Sequence, residues 1–157
     1  MTDLATLDEL FDGMPPVAAM QIRAASFDGE VLRLVAPLAA NVNDKRCAFG
    51  GSLASLMTLG GWGWLMIKLA QAGVNAEVYV ADSQIRYLMP LYDDLSSEAR
   101  LGGGQDWDAV LRCLLERKRA RVAMVAHVSD VAGQAAATLQ ARFALKLADA
   151  AASSAQA

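Results

Sequence analysis

The chain has 157 residues, of which 55% are hydrophobic and 20% charged. This is enough apolar material for the core of one domain and too much for a disordered chain. The net charge is −3 at pH 7, so no overall positive field favours nucleic acid as a partner. Cys47, Cys113 and the single histidine, His127, lack the spacing of a metal site. We expect free thiols, a reducing cytoplasmic setting, and no metal or other cofactor.

The N-terminal sequence MTDLATLDELF is acidic and amphipathic, which does not fit a signal peptide. The longest apolar run, Leu53 to Ile67, contains 15 residues and three glycines, and Lys68 ends it. A membrane-spanning helix needs about 20 apolar residues. The run therefore predicts the core helix of a soluble protein.

The first third of the chain predicts one short helix and a hairpin. Thr2 or Asp3 caps the helix, and Gly13 with the pair Pro15-Pro16 ends it. The expected strands are 17–27 and 30–38, joined by the turn signal Asp28-Gly29. Pro37 is expected to end the second strand or to mark an edge.

A loop over 39–51 leads into the long helix, expected over 52–72 and stopped by Gly73. Gly60, Gly61 and Gly63 each weaken a helix by about 1 kcal/mol relative to alanine, so close approach of backbone or a ligand is expected there. Further strands are expected over 74–89, 95–101, 120–130 and 134–147. Asp106 caps a helix whose inward residues are expected to be Trp107, Val110, Leu111, Leu114 and Leu115.

Six mostly antiparallel strands beside one helix that is apolar nearly all round predict an α+β fold. In this fold, the hot-dog fold, a curved sheet wraps round the helix. We expect a single domain over 1–147 and a flexible Ala- and Ser-rich tail over 148–157.

The segment NVNDKRCAFGGSLASLMTLGGWGWL, from Asn41 to Leu65, carries the strongest functional signal. A polar loop enters a Gly-Gly pair and then an apolar helix. The first N–H groups of a helix lack intrahelical partners and stabilise negative charge. The pattern predicts a buried oxyanion site at the helix start.

The same residues carry a resemblance to hot-dog acyl-thioester enzymes. The phenylacetate-type thioesterases share Asn-x5-His-Gly-Gly-x4-Leu-x-Asp/Glu, and this chain has Asn43, Phe49-Gly50-Gly51, Leu56 and Thr58 at those positions. The stretch APLAANVNDKRCAFGGSLASL more closely resembles a thioesterase-like hot-dog family that also occurs behind acetyltransferase domains. This second resemblance covers nearly the whole chain and implies decarboxylation of malonyl-acyl carrier protein, as members of that family are implicated in it.

The departures from the phenylacetate-type pattern change the expected chemistry. Phe49 replaces the histidine, and Thr58 replaces the carboxylate that hydrolysis uses as nucleophile or base. Decarboxylation of a malonyl thioester needs no base, because the breaking C–C bond supplies the electrons. It needs an oxyanion site for the enolate, and a neutral Thr58 beside an apolar Phe49 does not repel the substrate carboxylate.

The expected catalytic residues are Gly51 and Ser52 through their backbone N–H groups, together with Asn43 and Thr58. Asn43 either donates to the oxyanion or orients the malonyl carboxylate, and Thr58 bonds the carboxylate or a water that protonates the enolate. The residues expected to line or shape the substrate site are Asn41, Asp44, Lys45, Phe49 and Gly50. In hot-dog enzymes the pocket lies between two subunits, so the resemblance implies at least a dimer whose second subunit contributes residues near 82–87.

Structural interpretations compete with these roles. Asn41 and Asn43 also suit tight turns, Thr58 also suits a bond to a carbonyl one turn back, and His127 and Cys47 fit structural roles. The densest basic run contains Arg112, Arg117, Lys118, Arg119 and Arg121. It is either a solvated surface or a dock for an acidic carrier protein or a coenzyme A phosphate, with Lys45 and Arg46 as rivals.

Three functions remain open at this point. The first is decarboxylation of malonyl-acyl carrier protein or malonyl-coenzyme A to the acetyl thioester, a primer for fatty-acid synthesis. The second is hydrolysis of an acyl-coenzyme A or acyl carrier protein thioester. The third is a non-catalytic acyl-binding module.

Overall fold

The computed structural model describes residues 3–149, which form six strands and four α-helices. The helices are α1 (Leu4–Asp12), α2 (Pro15–Met20), α3 (Gly50–Gln71) and α4 (Trp107–Arg117). The strands are β1 (Arg23–Phe27), β2 (Leu32–Ala36), β3 (Ala76–Tyr87), β4 (Leu95–Leu101), β5 (Arg119–Ser129) and β6 (Ala135–Leu147). Thr2 and residues 150–157 of the expected tail lie outside the described part of the chain.

All six strands belong to one antiparallel sheet in the order β1-β2-β4-β5-β6-β3. Helix α3 packs against the face that carries the buried residues of β2, β4, β5 and β6. The predicted α+β hot-dog fold is confirmed. Strand β3 is left at one edge of the sheet, with ten or more residues of backbone paired on one side only.

The N-terminal region differs from the expected strand over 17–27. Residues 15–20 form helix α2, because prolines at its first positions fix helical φ values and the Met14 carbonyl accepts N–H bonds from Val17 and Ala18. The cap of α1 is Asp3, whose carboxylate accepts the Thr6 N–H at 2.8 Å. Within the expected strand over 17–27, only β1 is extended.

The predicted hairpin turn is confirmed. The Asp28 carboxylate accepts the N–H groups of Glu30 (2.9 Å) and Val31 (2.7 Å), and Gly29 has φ +100°. Strand β2 is shorter than the expected 30–38, because the loop continues to Val31 and a single 3-10 turn follows Pro37. The strand expected over 74–89 is also shorter in the structure, where it forms β3.

Helix α3 begins at Gly50, two residues before the expected start. By length and composition it could cross a membrane, but half of its residues are buried within this domain. It is therefore the core helix that the sequence predicts.

Side chains of the sheet explain the glycines of α3. A Cβ atom at Gly60 would lie 2.9 Å from the Ala99 Cβ, and one at Gly61 would lie 2.9 Å from Cε2 of Phe143. At Gly63 the nearest atoms belong to Leu32 and Leu7, at 3.0 and 3.1 Å. The helix is closely approached at all three glycines, but side chains of the sheet and of α1 make the contacts in place of the expected backbone or ligand.

We expect Gly61→Val to lower the free energy of unfolding by about 2 kcal/mol, because overpacking a rigid core outweighs the gain in helix propensity. Urea unfolding followed by circular dichroism measures the change. Gly103→Ala is the control, since a Cβ atom there meets nothing within 4 Å. Equal stability of the two variants would contradict tight packing at Gly61.

Helix α4 covers one end of the sheet. Asp106 caps it as predicted, and Val110 and Leu114 are buried. The expectation that Leu115 points inward is wrong, because its side chain is exposed, whereas those of Trp107 and Leu111 are half-buried.

Candidate functional site

The start of α3 is held by backbone bonds from three segments. The Phe49 N–H donates to the Asn41 carbonyl at 2.7 Å, and the Ala48 N–H donates to the Leu91 carbonyl at 2.8 Å. Val42 and Ala48 form an isolated bridge across the loop. These bonds fix the position at which the loop becomes helix.

Two N–H groups at the helix start are free of protein acceptors. The Phe49 carbonyl accepts from Ser52 (3.0 Å) and Leu53 (3.1 Å), whereas within residues 3–149 no acceptor meets the N–H of Gly50 or Gly51. The expectation that the Ser52 N–H is available to an oxyanion is therefore wrong, because this N–H is bonded to the Phe49 carbonyl and the residue is buried. The available donors are Gly50, which is half-buried, and Gly51, which is exposed.

Two aromatic rings flank this pair of amides, which we call the Gly50–Gly51 cradle. A Cβ atom at Gly51 would lie 2.5 Å from Cε1 of Phe49, and one at Gly50 would lie 3.4 Å from Cε1 of Tyr87. The Tyr87 hydroxyl donates to the Gly50 carbonyl at 3.2 Å. Both rings are more than half exposed, so the amides sit between apolar walls that remain open to solvent.

Asn43 organises the loop before the cradle. Its Oδ1 accepts the N–H groups of Lys45 (2.8 Å) and Cys47 (3.1 Å), and its Nδ2 lies 3.3 Å from the Cys47 Sγ. This is the turn-forming geometry typical of asparagine. A direct role of its amide at an oxyanion stays a prediction.

We expect Asn43→Ala to lower the free energy of unfolding by about 1 kcal/mol, since two backbone donors lose their acceptor. Asn43→Asp keeps the acceptor oxygen and should lie within a few tenths of a kcal/mol of the unmodified protein. Urea denaturation of both variants is the measurement. A similar loss for alanine and aspartate would contradict the turn-forming role.

The Asn41 side chain fits the expected role of shaping the loop, whereas its role in substrate binding stays a prediction. It is 3% exposed, and its Nδ2 donates to the carbonyls of Met20 (2.9 Å) and Pro37 (2.8 Å). Its side chain ties the loop to α2 and to the end of β2. The Lys45 Nζ lies 3.1 Å from the Asp44 Oδ2, and both side chains are largely exposed to solvent. No contact within residues 3–149 therefore directs either side chain towards the cradle.

Thr58 lies on the same side of α3 as Gly51. Seven residues are almost two helical turns, which places Thr58 about 10 Å further along the axis. Its side chain is half-buried, and the structure gives its hydroxyl no partner within residues 3–149. The bond to a carbonyl one turn back is made instead by Ser55, whose Oγ donates to the Gly51 carbonyl at 2.8 Å.

The surroundings of the cradle contain no acid or base from α3, since no residue from Gly50 to Ile67 is ionisable. His127 lies on β5, where its Nε2 is 3.7 Å from Glu98 on the outer face of the sheet. Among residues 3–149 no group of three or more His, Cys, Asp or Glu side chains is arranged to hold a metal.

The sequence did not predict that Tyr87 contacts Gly50 of its own chain. Residues near 82–87 were expected to line the site only from a second subunit. The available signal was the alternation of β3, which puts Tyr87 opposite Ala137 on the helix-facing side at the end of the strand. Asp82 points to the other face, where the hydrogen bond from Arg142 lowers the pKa of its carboxyl.

Comparison with known proteins agrees with this architecture. The chain matches the family described as "Putative thioesterase (yiiD_Cterm)" over residues 5–147. A solved structure described as a "putative thioesterase" from Shewanella oneidensis is 26% identical, with a TM-score of 0.82 over 92% of this chain and 97% of that one.

Two further structures share the fold at lower identity. A protein of unknown function from Chlorobaculum tepidum is 23% identical, with a TM-score of 0.86 over 92% of this chain and 94% of that one. A Pseudomonas aeruginosa protein described as a "Probable Thioesterase" is 22% identical, with a TM-score of 0.80 over 94% and 97%. With a family match that spans residues 5–147, this chain belongs to the thioesterase-like hot-dog family named above.

Proposed function

We propose that this protein decarboxylates a malonyl thioester, carried by acyl carrier protein or coenzyme A, to the acetyl thioester. The observation that carries the proposal is the Gly50–Gly51 cradle: two free amides at a helix start, beside a helix segment without any ionisable side chain up to Ile67. Such a site can stabilise an oxyanion but offers no group of α3 to activate water.

The cradle amides act on the thioester oxygen. As the bond between the malonyl carboxylate and the α-carbon breaks, its electron pair forms the enolate double bond and negative charge collects on that oxygen. Helix-terminal N–H groups aimed at the developing charge lower the barrier, and one such donor is worth about 3 kcal/mol. A proton from water then reaches the α-carbon, and carbon dioxide and the acetyl thioester leave.

The aromatic walls and Thr58 support the same step. The Phe49 and Tyr87 rings supply apolar surface beside the amides, and bound substrate would displace the solvent that reaches the cradle between them. Loss of the carboxylate is easier in an apolar setting, because its concentrated charge becomes delocalised. We propose that the Thr58 hydroxyl, which has no partner within residues 3–149, hydrogen-bonds the carboxylate or the water that protonates the enolate.

One assay separates the candidate reactions. Malonyl and acetyl thioesters of both carrier protein and coenzyme A are supplied, and carbon dioxide and free thiol are measured together. Carbon dioxide with an intact thioester supports decarboxylation. Free thiol without carbon dioxide supports hydrolysis, and neither product supports a binding module.

Hydrolysis is the second candidate, favoured by the family description. It would need a water held by Thr58 or by the Asn43 amide, with a base from outside α3. The described contacts of Asn43 all lie within its own loop, which weakens this alternative.

We also propose that the protein is a cytoplasmic homodimer joined through β3. The free edge of this strand runs from Ala76 to Tyr87, and Tyr79, Val80 and Tyr87 on it are largely exposed. A long unpaired edge with exposed apolar side chains favours pairing with another strand. Sedimentation equilibrium should give twice the chain mass, and a monomer at micromolar concentration would contradict the proposal.

A further inference from the structure

The hydroxyl of Tyr87 contacts the peptide unit that supplies one of the two free amides. Its oxygen donates to the Gly50 carbonyl at 3.2 Å. That carbonyl and the Gly51 N–H belong to the same peptide unit. In a trans peptide the two groups point in opposite directions, so Tyr87 binds one end of the unit while the other end stays open to a ligand.

The two peptide units of the Gly50–Gly51 cradle are matched in the bonds that their carbonyls accept. The Phe49 carbonyl, which shares a unit with the Gly50 N–H, accepts two helical N–H groups at 3.0 and 3.1 Å. The Gly50 carbonyl is the next one in α3, and helix geometry gives it one bond, from the residue four positions later. Tyr87 supplies a second bond to this carbonyl from outside the helix. Both free amides therefore belong to units whose carbonyl oxygen accepts two donors.

A hydrogen bond to a carbonyl oxygen changes the N–H of the same peptide unit. It draws electrons towards the oxygen, increases the double-bond character of the C–N bond and leaves the amide hydrogen more positive. In linked hydrogen bonds this strengthening is about 10–30% for each bond. The bond from Tyr87 therefore makes the Gly51 N–H a stronger donor to an oxyanion.

The end of β3 holds Tyr87 in place for this contact. Tyr87 lies opposite Ala137 in the register with β6, and the next residue, Leu88, donates its N–H to the Ala136 carbonyl at 2.8 Å. On the helix side, a Cβ atom at Gly50 would lie 3.4 Å from Cε1 of the tyrosine ring. The ring thus lies directly against the first residue of α3, with its hydroxyl at the carbonyl.

A structural interpretation explains the ring of Tyr87 but not the position of its hydroxyl. Aromatic residues are common in β-strands, and Tyr79, on the outer face of the same strand, is 56% exposed against 57% for Tyr87. The Tyr79 hydroxyl, however, donates to the Glu77 carboxylate of its own strand at 3.2 Å. Of these two hydroxyls, that of Tyr87 alone connects the sheet to the helix start.

We propose that Tyr87 is a positioning residue that orients and polarises the peptide unit between Gly50 and Gly51. Its hydroxyl acts through the Gly51 N–H, which meets the negative charge that develops on the thioester oxygen. The proposal rests on the proposed function and deepens it by assigning a side chain to the support of the oxyanion site. The same effect would assist hydrolysis, in which the oxygen of the tetrahedral intermediate carries the charge.

Nuclear magnetic resonance tests the hydrogen bond without requiring activity. When glycine alone carries ¹³C at its carbonyl and ¹⁵N at its nitrogen, an HNCO spectrum contains peaks only from glycines that follow a glycine: Gly51, Gly61, Gly103 and Gly104. Gly51→Ala removes one peak and so assigns it. In Tyr87→Phe, which keeps the ring, the Gly51 peak should move upfield in the carbonyl and nitrogen dimensions, because the carbonyl loses a donor. The other peaks should stay in place, as should all four in Tyr79→Phe, the matched control.

The kinetic readout is the division of the effect between kcat and KM. Tyr87→Phe should lower kcat about two- to fivefold, the effect of weakening one oxyanion donor by the fraction given above, with KM and Tm unchanged. Tyr79→Phe should keep the kcat of the unmodified protein. Turnover is followed both as carbon dioxide and as free thiol, so that the kcat values are compared for whichever product forms.

A Gly51 peak that stays in place in Tyr87→Phe would overturn the proposal, because the bond would then be absent in solution. A shifted peak with unchanged kcat would also overturn it, since the bond would then serve only the fold. Free thiol as the product, with the same loss of kcat in Tyr87→Phe, would contradict decarboxylation and support the role of Tyr87. Absence of turnover with every thioester would overturn both proposals.

Discussion

Replacing Gly51 with proline should lower kcat for the malonyl thioester by about 10²- to 10³-fold relative to Gly51→Ala, the effect of losing one oxyanion donor. Both variants carry a Cβ atom that displaces the Phe49 ring. Proline also replaces the N–H with its ring Cδ, so it removes the donor and fills the position that the oxyanion would occupy. The ratio of the two kcat values therefore measures loss of the Gly51 N–H site as a whole.

The fold should tolerate this proline. Gly51 lies in the first turn of α3, where its N–H makes no bond within residues 3–149 and where proline is accepted. Circular dichroism and the Tm of both variants provide the control for folding. Equal kcat values in two folded variants would remove the Gly51 amide from the mechanism.

Replacing Thr58 with aspartate should suppress decarboxylation and raise thiol release. A carboxylate about 5 Å from the substrate carboxylate costs about 3 kcal/mol of substrate binding at an effective dielectric constant of 20, which should raise KM for decarboxylation about 10²-fold. The same carboxylate supplies the base that α3 lacks from Gly50 to Ile67. The ratio of carbon dioxide to free thiol is the measurement.

Thr58→Asn is the control for this change, because asparagine has the shape of aspartate without its charge. We expect Thr58→Asn to keep carbon dioxide as the main product. If aspartate and asparagine give the same product ratio, the absence of a carboxylate at position 58 does not determine the reaction.

The elements that the sequence predicts well are those with local signals. The apolar run that ends at Lys68, with Gly60 and Gly61 in it, lies in one helix, so its periodicity and composition were sufficient to predict α3. Asp28-Gly29 produced the expected turn because its bonds are all within four residues. The helix over 15–20 was missed because the proline pair, which ends one helix, also starts the next.

The site was predictable only to the level of the helix start. The free amide of Gly51 follows from helix geometry, but the bond from Ser52 to Phe49 depends on where the first turn begins. The Asn43 side chain bonds to N–H groups of its own loop, in which Arg46 has a left-handed conformation. No local sequence pattern indicates that conformation. Tyr87 reaches Gly50 across 37 residues of sequence, and such contacts are set by the sheet order.

The most direct test of the central claim is a crystal structure of the protein with a malonyl-coenzyme A analogue in which the thioester sulfur is replaced by a methylene group. The ketone oxygen of this analogue should lie within about 2.7–3.1 Å of the Gly51 nitrogen or the Gly50 nitrogen, between the Phe49 and Tyr87 rings. Binding of the analogue with its carbonyl elsewhere, and with both amides bonded to protein or solvent, would contradict the claim.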